Sequence, residues 1–311
     1  MSKKNVPSPG SIVKKLRGRG LKVAENAIAY ASEKNGCEPS FYDALFAIKA
    51  PPKEAYLASA IEQVVKATNV VGQELVKRIK KDPNERVVLI SLTPPNLHCR
   101  PGKVNLDARV PRKIKGALKK CGIPNAIGMT KFLHRPRAGE PGFEAYLQLA
   151  MIVFGPGVSD DAMKRLDKLI AERFPTDAKP VLEWETIENE SVSLHDAAAR
   201  VFDLADREAN SKAARLSAKT IGITGWTKKR PLREFLRTQA LSSVPFKALL
   251  VAHGDGERLA DNALTEGRHA LRSLASGFDQ VIHRDQIAQF HASELVRLEK
   301  PQVRLPFLKI R

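Results

Sequence analysis

The residues of this chain best suited to chemistry are cations placed beside aromatic rings. Trp226 is followed by Lys228, Lys229, Arg230, Arg233 and Arg237. A basic helix entered by an aromatic residue can grip backbone phosphates while the ring stacks on a base. A Trp226 packed into the core, with the lysines outside it, is the competing reading. His134 stands next to Arg135 and Arg137 in a basic turn, and it reads as a phosphate contact or surface residue rather than a metal ligand. His195 and Asp196 open a helix, but adjacent helical residues diverge by about 100° and make a poor acid/base pair. His253, His269, His283 and His291 are scattered and read as surface or packing residues. Gly155-Pro156-Gly157 and Gly254-Asp255-Gly256 continue into neither a Gly-Lys-Ser/Thr nor a second glycine at nucleotide-loop spacing, so they are turns.

The charge of the whole chain points the same way. Over 311 residues, 52 Lys and Arg stand against 34 Asp and Glu, a formal charge of +18 with a pI near 9.9. A charge of this size attracts polyanions, above all nucleic acid, through phosphate contacts and counterion release. An anionic membrane fits less well, because no basic helix carries a strong aromatic face. Hydrophobic content of 43% and charged content of 28% suit a soluble protein with a substantial core. Cys37, Cys99 and Cys121 have neither disulfide-framework nor zinc-knuckle spacing. No apolar run reaches membrane-span length, and the first residues lack an apolar signal core, so a cytoplasmic location is expected.

Four regions position these residues. Residues 1–22 hold Lys3, Lys4, Lys14, Lys15, Arg17, Arg19 and Lys22 without an acid, and Pro7, Pro9, Gly10, Gly18 and Gly20 interrupt them. This predicts a flexible basic arm that orders on phosphate, or a solubilising tail. Residues 23–84 read as a helical unit: one helix from Val23, one after Ser40, and one from Lys53 to about Lys81. Residues 85–225 form an α+β core. In it, strand Val87–Leu92 is followed by the basic helix Pro111–Cys121, strand Ile127–Leu133 and the hairpin His134–Gly142. Strand Tyr146–Phe154 comes next, then a helix capped by Ser159, strand Val181–Ile187 and helix Leu194–Ala209. Residues 226–311 read as a basic helical C-terminal region with a short strand between Lys247 and Val251, helices Asp255–Ala275 and Ile287–Arg297, and an extended basic tail. The stretch Ala214–Leu232, with its Ile-Gly-Ile-Thr turn, also has a loose helix-turn-helix spacing.

The central pattern resembles the HUH endonucleases, the family of rolling-circle replication initiators and conjugative relaxases. The resemblance rests on the apolar strand Val87–Leu92 ending in Leu92-Thr93, on the segment Phe143–Gly155 in the place of the strand that bears His-x-His, and on the order of the elements after it. It covers about Arg86 to Trp226. It implies a central antiparallel sheet flanked by helices, with helical N- and C-terminal extensions, and single-stranded DNA lying across an exposed sheet face.

The family's catalytic residues are missing together. Tyr146-Leu147-Gln148 stands where the resemblance puts His-x-His; two imidazoles there would share a strand face and hold a divalent metal. Tyr and Gln do not replace them. The only tyrosines are Tyr30, Tyr42, Tyr56 and Tyr146, so the helix expected to carry a nucleophilic tyrosine offers only Phe202. The resemblance therefore implies a non-cleaving relative, with no catalytic residue, metal or cofactor to assign.

His98-Cys99-Arg100-Pro101-Gly102 also resembles the phosphate loop of cysteine phosphatases. However, Asn105 occupies the arginine position and Pro94, Pro95 and Pro101 make a poor cradle, so the plainer reading is a basic loop in which Arg100 and Lys103 touch phosphate.

These readings converge on a nucleic-acid-binding protein, with DNA (single-stranded or duplex) as partner in plasmid- or phage-type replication or its regulation, and with no membrane partner. The residues expected on DNA are Lys14, Lys15, Arg17, Arg19, Arg112, Lys113, Lys115, Lys119, Lys120, Arg135, Arg137, Tyr146, Gln148, Trp226, Lys228, Lys229, Arg230 and Arg233. The alternatives are a metal-dependent nuclease with relocated residues such as His98, His134 or His195, and an RNA-binding ribonucleoprotein component. Protein partners could use the helical ends.

Overall fold

The computed structural model describes residues 8–34, 61–94, 98–99, 106, 109–137, 142–175, 182–203, 212–223, 225–242, 244 and 246–277. Its elements run α1 (Pro9–Lys34), α2 (Ile61–Lys81), β1 (Arg86–Leu92), β2 (His98–Cys99), α3 (Arg109–Lys120), β3 (Asn125–Pro136), β4 (Phe143–Gly155) and α4 (Asp160–Arg173). They continue with β5 (Leu182–Ile187), α5 (Ser191–Phe202), α6 (Lys212–Thr220), α7 (Arg230–Ser242), α8 (Phe246–Leu249), β6 (Leu250–His253) and α9 (Asp255–Gly277). The predicted helices after Ser40 and from Ile287, and the C-terminal tail, lie outside the described residues.

The fold is α+β, a central antiparallel sheet flanked by helices, as the sequence led us to expect. The strands lie in the order β5-β1-β4-β3-β6, with β2 pairing to β4 beyond the end of β1. Units β1-α3-β3 and β4-α4-β5 interleave as a split βαβ arrangement. The β3 and β4 strands pair without interruption from Asn125↔Phe154 to Pro136↔Phe143, so each is longer than its apolar run suggests. The chain then returns, and β6 pairs with the far edge of β3, Ala126 opposite His253.

Alternation along the strands divides the apolar residues between two layers. On one face Val88, Ile90, Leu149, Met151 and Val153 pack with Ile114 and Leu118 of α3 and Met163, Leu166 and Ile170 of α4. On the other, Val87, Leu89, Ile127, Ile152 and Phe154 pack with helices α1, α2, α5 and α9, through Leu16, Leu75, Phe202 and Leu259 among others. Strands buried on both faces read as continuous apolar runs, which is what β1 and β4 are.

Three expectations are corrected. The sheet face opposite α3 and α4, expected to lie open to a single strand of DNA, is covered over β1, β4 and β3 by the helical segments expected as extensions, while β5 keeps Glu183 to Thr186 exposed. Residues 9–22 are not an arm but the first half of α1, whose Ile12, Leu16, Val23 and Ala27 are buried. Pro9 sits in the first turn, where its missing N–H costs nothing, and Ser8 and Ser11 cap the turn reciprocally. Gly20 does not break the helix; a Cβ there would stand 3.0 Å from the Ile61 side chain, so the glycine lets α1 approach α2. Finally, residues 226–277 do not form a separate region, since β6 completes the sheet and α9 packs on α2 and β3.

Candidate nucleic-acid interface

Helix α3 presents the strongest basic surface. Ile114, Ala117 and Leu118 recur at helical spacing and are buried against the sheet, which fixes the opposite side outward. That side carries Arg109, Arg112, Lys113, Lys119 and Lys120, all exposed, with Lys115 at its margin. The helix contains no acid. Lys119 and Lys120 complement the dipole at its C-terminal end, whereas Arg109 and Arg112 oppose the dipole at the start. Lys115 pairs with Glu257 at 3.2 Å. The Lys113 ammonium lies 5.1 Å from the Phe174 ring centroid and donates to the Arg173 carbonyl at 3.4 Å. Arg112, Lys119 and Lys120 have no ion-pair partner among the described residues.

The remaining candidates lie elsewhere, with the sheet between α3 and the layer that holds α1 and α7. Lys14, Lys15 and Arg17 are exposed on α1, while Arg19 pairs with the buried Asp203 at 2.9 Å. Lys15 and Arg19 line a cleft of about 420 Å³ together with Glu185, Glu188, Asp196 and Arg200. Charges of both signs face this cleft, so it does not favour a polyanion. Within it the Arg200 hydrogen bond holds the Glu185 carboxyl below its ordinary range. At the β3-β4 end, Arg135 and Arg137 share one carboxylate, that of Glu144, the second at 3.1 Å.

Several aromatic and histidine candidates are internal. Trp226 is only 4% exposed and meets Phe143 edge-on at 6.3 Å between centroids. Its face carries the buried Arg233 guanidinium, 3.9 Å from the ring centroid, which also donates to the Trp226 carbonyl at 2.6 Å. Glu234, buried too, holds Arg237 and lies 3.7 Å from Arg230. Trp226 is thus the core residue of the two readings, and only Lys228 of its lysine and arginine followers is fully exposed. Tyr146 and Gln148 share a strand face but are 8% exposed each. The Arg135 guanidinium lies 5.4 Å from the Tyr146 ring centroid, and Gln148 donates to the Thr93 hydroxyl at 3.4 Å.

His134 is 1% exposed between the rings of Phe132 and Phe143, so it is neither a surface residue nor a phosphate contact. His195 is buried against Gly72, its Nδ1 2.7 Å from the Ser191 carbonyl oxygen, while Asp196 is exposed on another side of α5. Burial pushes the Cys121 thiol above its ordinary pKa, which disfavours the thiolate. The side chains of His98 and Cys99 lie outside the described residues. Among the described residues no three His, Cys, Asp or Glu side chains group to hold a metal, and no helix is long and apolar enough to cross a membrane.

One surface entered the sequence reading only through the loose helix-turn-helix spacing of Ala214–Leu232, with none of its cations among the expected contacts. Helix α6 exposes Lys212, Arg215 and Lys219 next to the Trp226 cluster. The readable signal is the absence of any acid from Lys212 to Arg233. Comparison of the chain with protein-family models, curated proteins and solved structures finds no match.

Proposed function

We propose that this protein binds nucleic acid, duplex or single-stranded DNA in the first place, without cutting it, and that the outer face of α3 is its principal phosphate contact. The observation that carries the reading is a helix clamped to the sheet by its apolar side whose solvent side holds only cations, three of them with no partner among the described residues. A rigid row of this kind neutralises successive phosphates at little ordering cost, because its backbone is already fixed. The split βαβ order of β1, α3, β3, β4, α4 and β5 fits the replication-initiator resemblance and favours a role beside a plasmid or phage origin. With that sheet face covered, this reading takes the helices rather than the sheet as the contact.

The test uses labelled single-stranded DNA, duplex DNA and RNA incubated with the purified protein and Mg²⁺ or Mn²⁺, resolved on paired native and denaturing gels. Shifted and uncut DNA is the expected result. Cut or covalently attached DNA would overturn the non-cleaving reading and return attention to a relocated nuclease site. Retention of RNA alone would replace DNA as partner.

A further inference from the structure

Helix α6 has two sides of opposite character. Its inner stripe is Ala214 and Ala218, which pack on Trp226 and Phe143 and, being small, seat the helix close to the β3-β4 end. Its outer stripe is Lys212, Arg215, Leu216 and Lys219, spaced i, i+3, i+4 and i+7 and therefore on one face. Leu216 is 55% exposed and Ile221, just past the helix, is 40% exposed. They are two of the three large apolar side chains the described residues expose, the third being Trp184 on β5. Among the described residues Leu216 thus faces solvent beside three cations, in a segment without acids.

We propose that the outer face of α6 is a second DNA contact of a different kind from α3, in which Lys212, Arg215 and Lys219 straddle the backbone and Leu216 meets the bases. This rests on the nucleic-acid reading above and deepens it. Cations alone would make only sequence-independent phosphate contacts. An apolar side chain among them gains energy when it is withdrawn from water against a base step, and such wedges unstack and kink duplex DNA from the minor groove. Ile221, just past the C-terminal end of the helix, is a second exposed apolar side chain. Charge complementarity selects a polyanion, and the small size of the apolar patch, without an aromatic residue on the exposed stripe, favours a groove over a lipid surface.

The experiment measures binding of the full chain to a fluorescent duplex as a function of salt, with end-to-end energy transfer on the same duplex to report bending. Leu216→Ala, an exposed substitution that leaves folding intact, should weaken binding roughly tenfold with the salt slope unchanged, and should abolish the bend. Lys212→Ala, Arg215→Ala and Lys219→Ala together should lower the slope by about 0.9 for each lost contact. If the parent binds and Leu216→Ala binds and bends equally well, this proposal falls and the α3 reading stands. If the parent binds no nucleic acid at any salt, both fall. Leu216-dependent retention on phosphatidylserine vesicles, without an effect on duplex, would replace DNA by a membrane surface.

Discussion

At the scale of single residues, charge in this chain divides into what holds the fold and what is left for a partner. Arg233, Arg237 and Glu234 form a buried ionic group beneath Trp226, although in the sequence they look like a basic helix lying open. Glu234→Ala should cost on the order of 3–5 kcal/mol, because it strands buried guanidinium groups, and Trp226→Ala a similar amount, roughly 3–5 kcal/mol, through the cavity it leaves; urea unfolding of each variant measures both. Lys228→Ala, exposed, should change stability by no more than about 0.5 kcal/mol. Glu185 has a pH signature. Its folded pKa is depressed by Arg200, so its contribution is present above the unfolded pKa and is lost as pH falls through the folded one. Glu185→Gln should therefore be slightly less stable than the parent at neutral pH, and the difference should vanish under strongly acid conditions. The gap is small because the side chain is 57% exposed and the pair is screened.

At the scale of elements, the sequence read well where a segment's own pattern decides its structure. Strands β1 and β4 stand out as apolar runs bounded by Thr93-Pro94 and Gly155-Pro156-Gly157, and α3 and α4 follow from helical spacing, with Ser159 capping α4 as expected. What escaped depends on partners distant in sequence. Helix α1 survives Gly18 and Gly20 because its apolar stripe is buried, and Gly20 is explained only by Ile61. Gly20→Val should thus destabilise the protein by roughly 1–3 kcal/mol through overpacking, a shift visible in thermal melts. The short strand expected between Lys247 and Val251 lies at Leu250–His253 instead, after the helical turn Phe246–Leu249, and its place beside β3 is set by pairing alone. Helix α3 was legible as basic, but not that Arg112, Lys119 and Lys120 would stand without an ion-pair partner among the described residues. Changing Arg112, Lys119 and Lys120 together to Ala should leave the melting transition nearly unchanged while lowering the salt slope of DNA binding by about 2.7, at 0.9 for each contact.

At the scale of the whole molecule, the composition gave the partner class to expect but could not place the contact. The replication-initiator resemblance led us to expect an exposed sheet, with Tyr146 and Gln148 facing DNA. In the structure the N- and C-terminal helices close over that face, and both side chains are buried. A pattern of strands buried on both sides was already present in the continuous apolar runs of β1 and β4. The identity of the covering helices was not, since it depends on how segments far apart in the chain pack together. The result is a two-sided molecule, with the α3 row on one side of the sheet and the α1 and α7 charges on the other, where Arg19, Arg230 and Arg237 are held by acids.

The central claim is that the +18 charge of this chain is organised for nucleic acid at α3. Its most direct test is fluorescence anisotropy of a labelled mixed-sequence duplex titrated with the full chain across a series of salt concentrations. Log K should fall linearly with log salt at a slope steeper than about −3, and less steeply in the Arg112→Ala, Lys119→Ala, Lys120→Ala variant. Absence of binding at low salt, or a slope that this variant leaves unchanged, would contradict it.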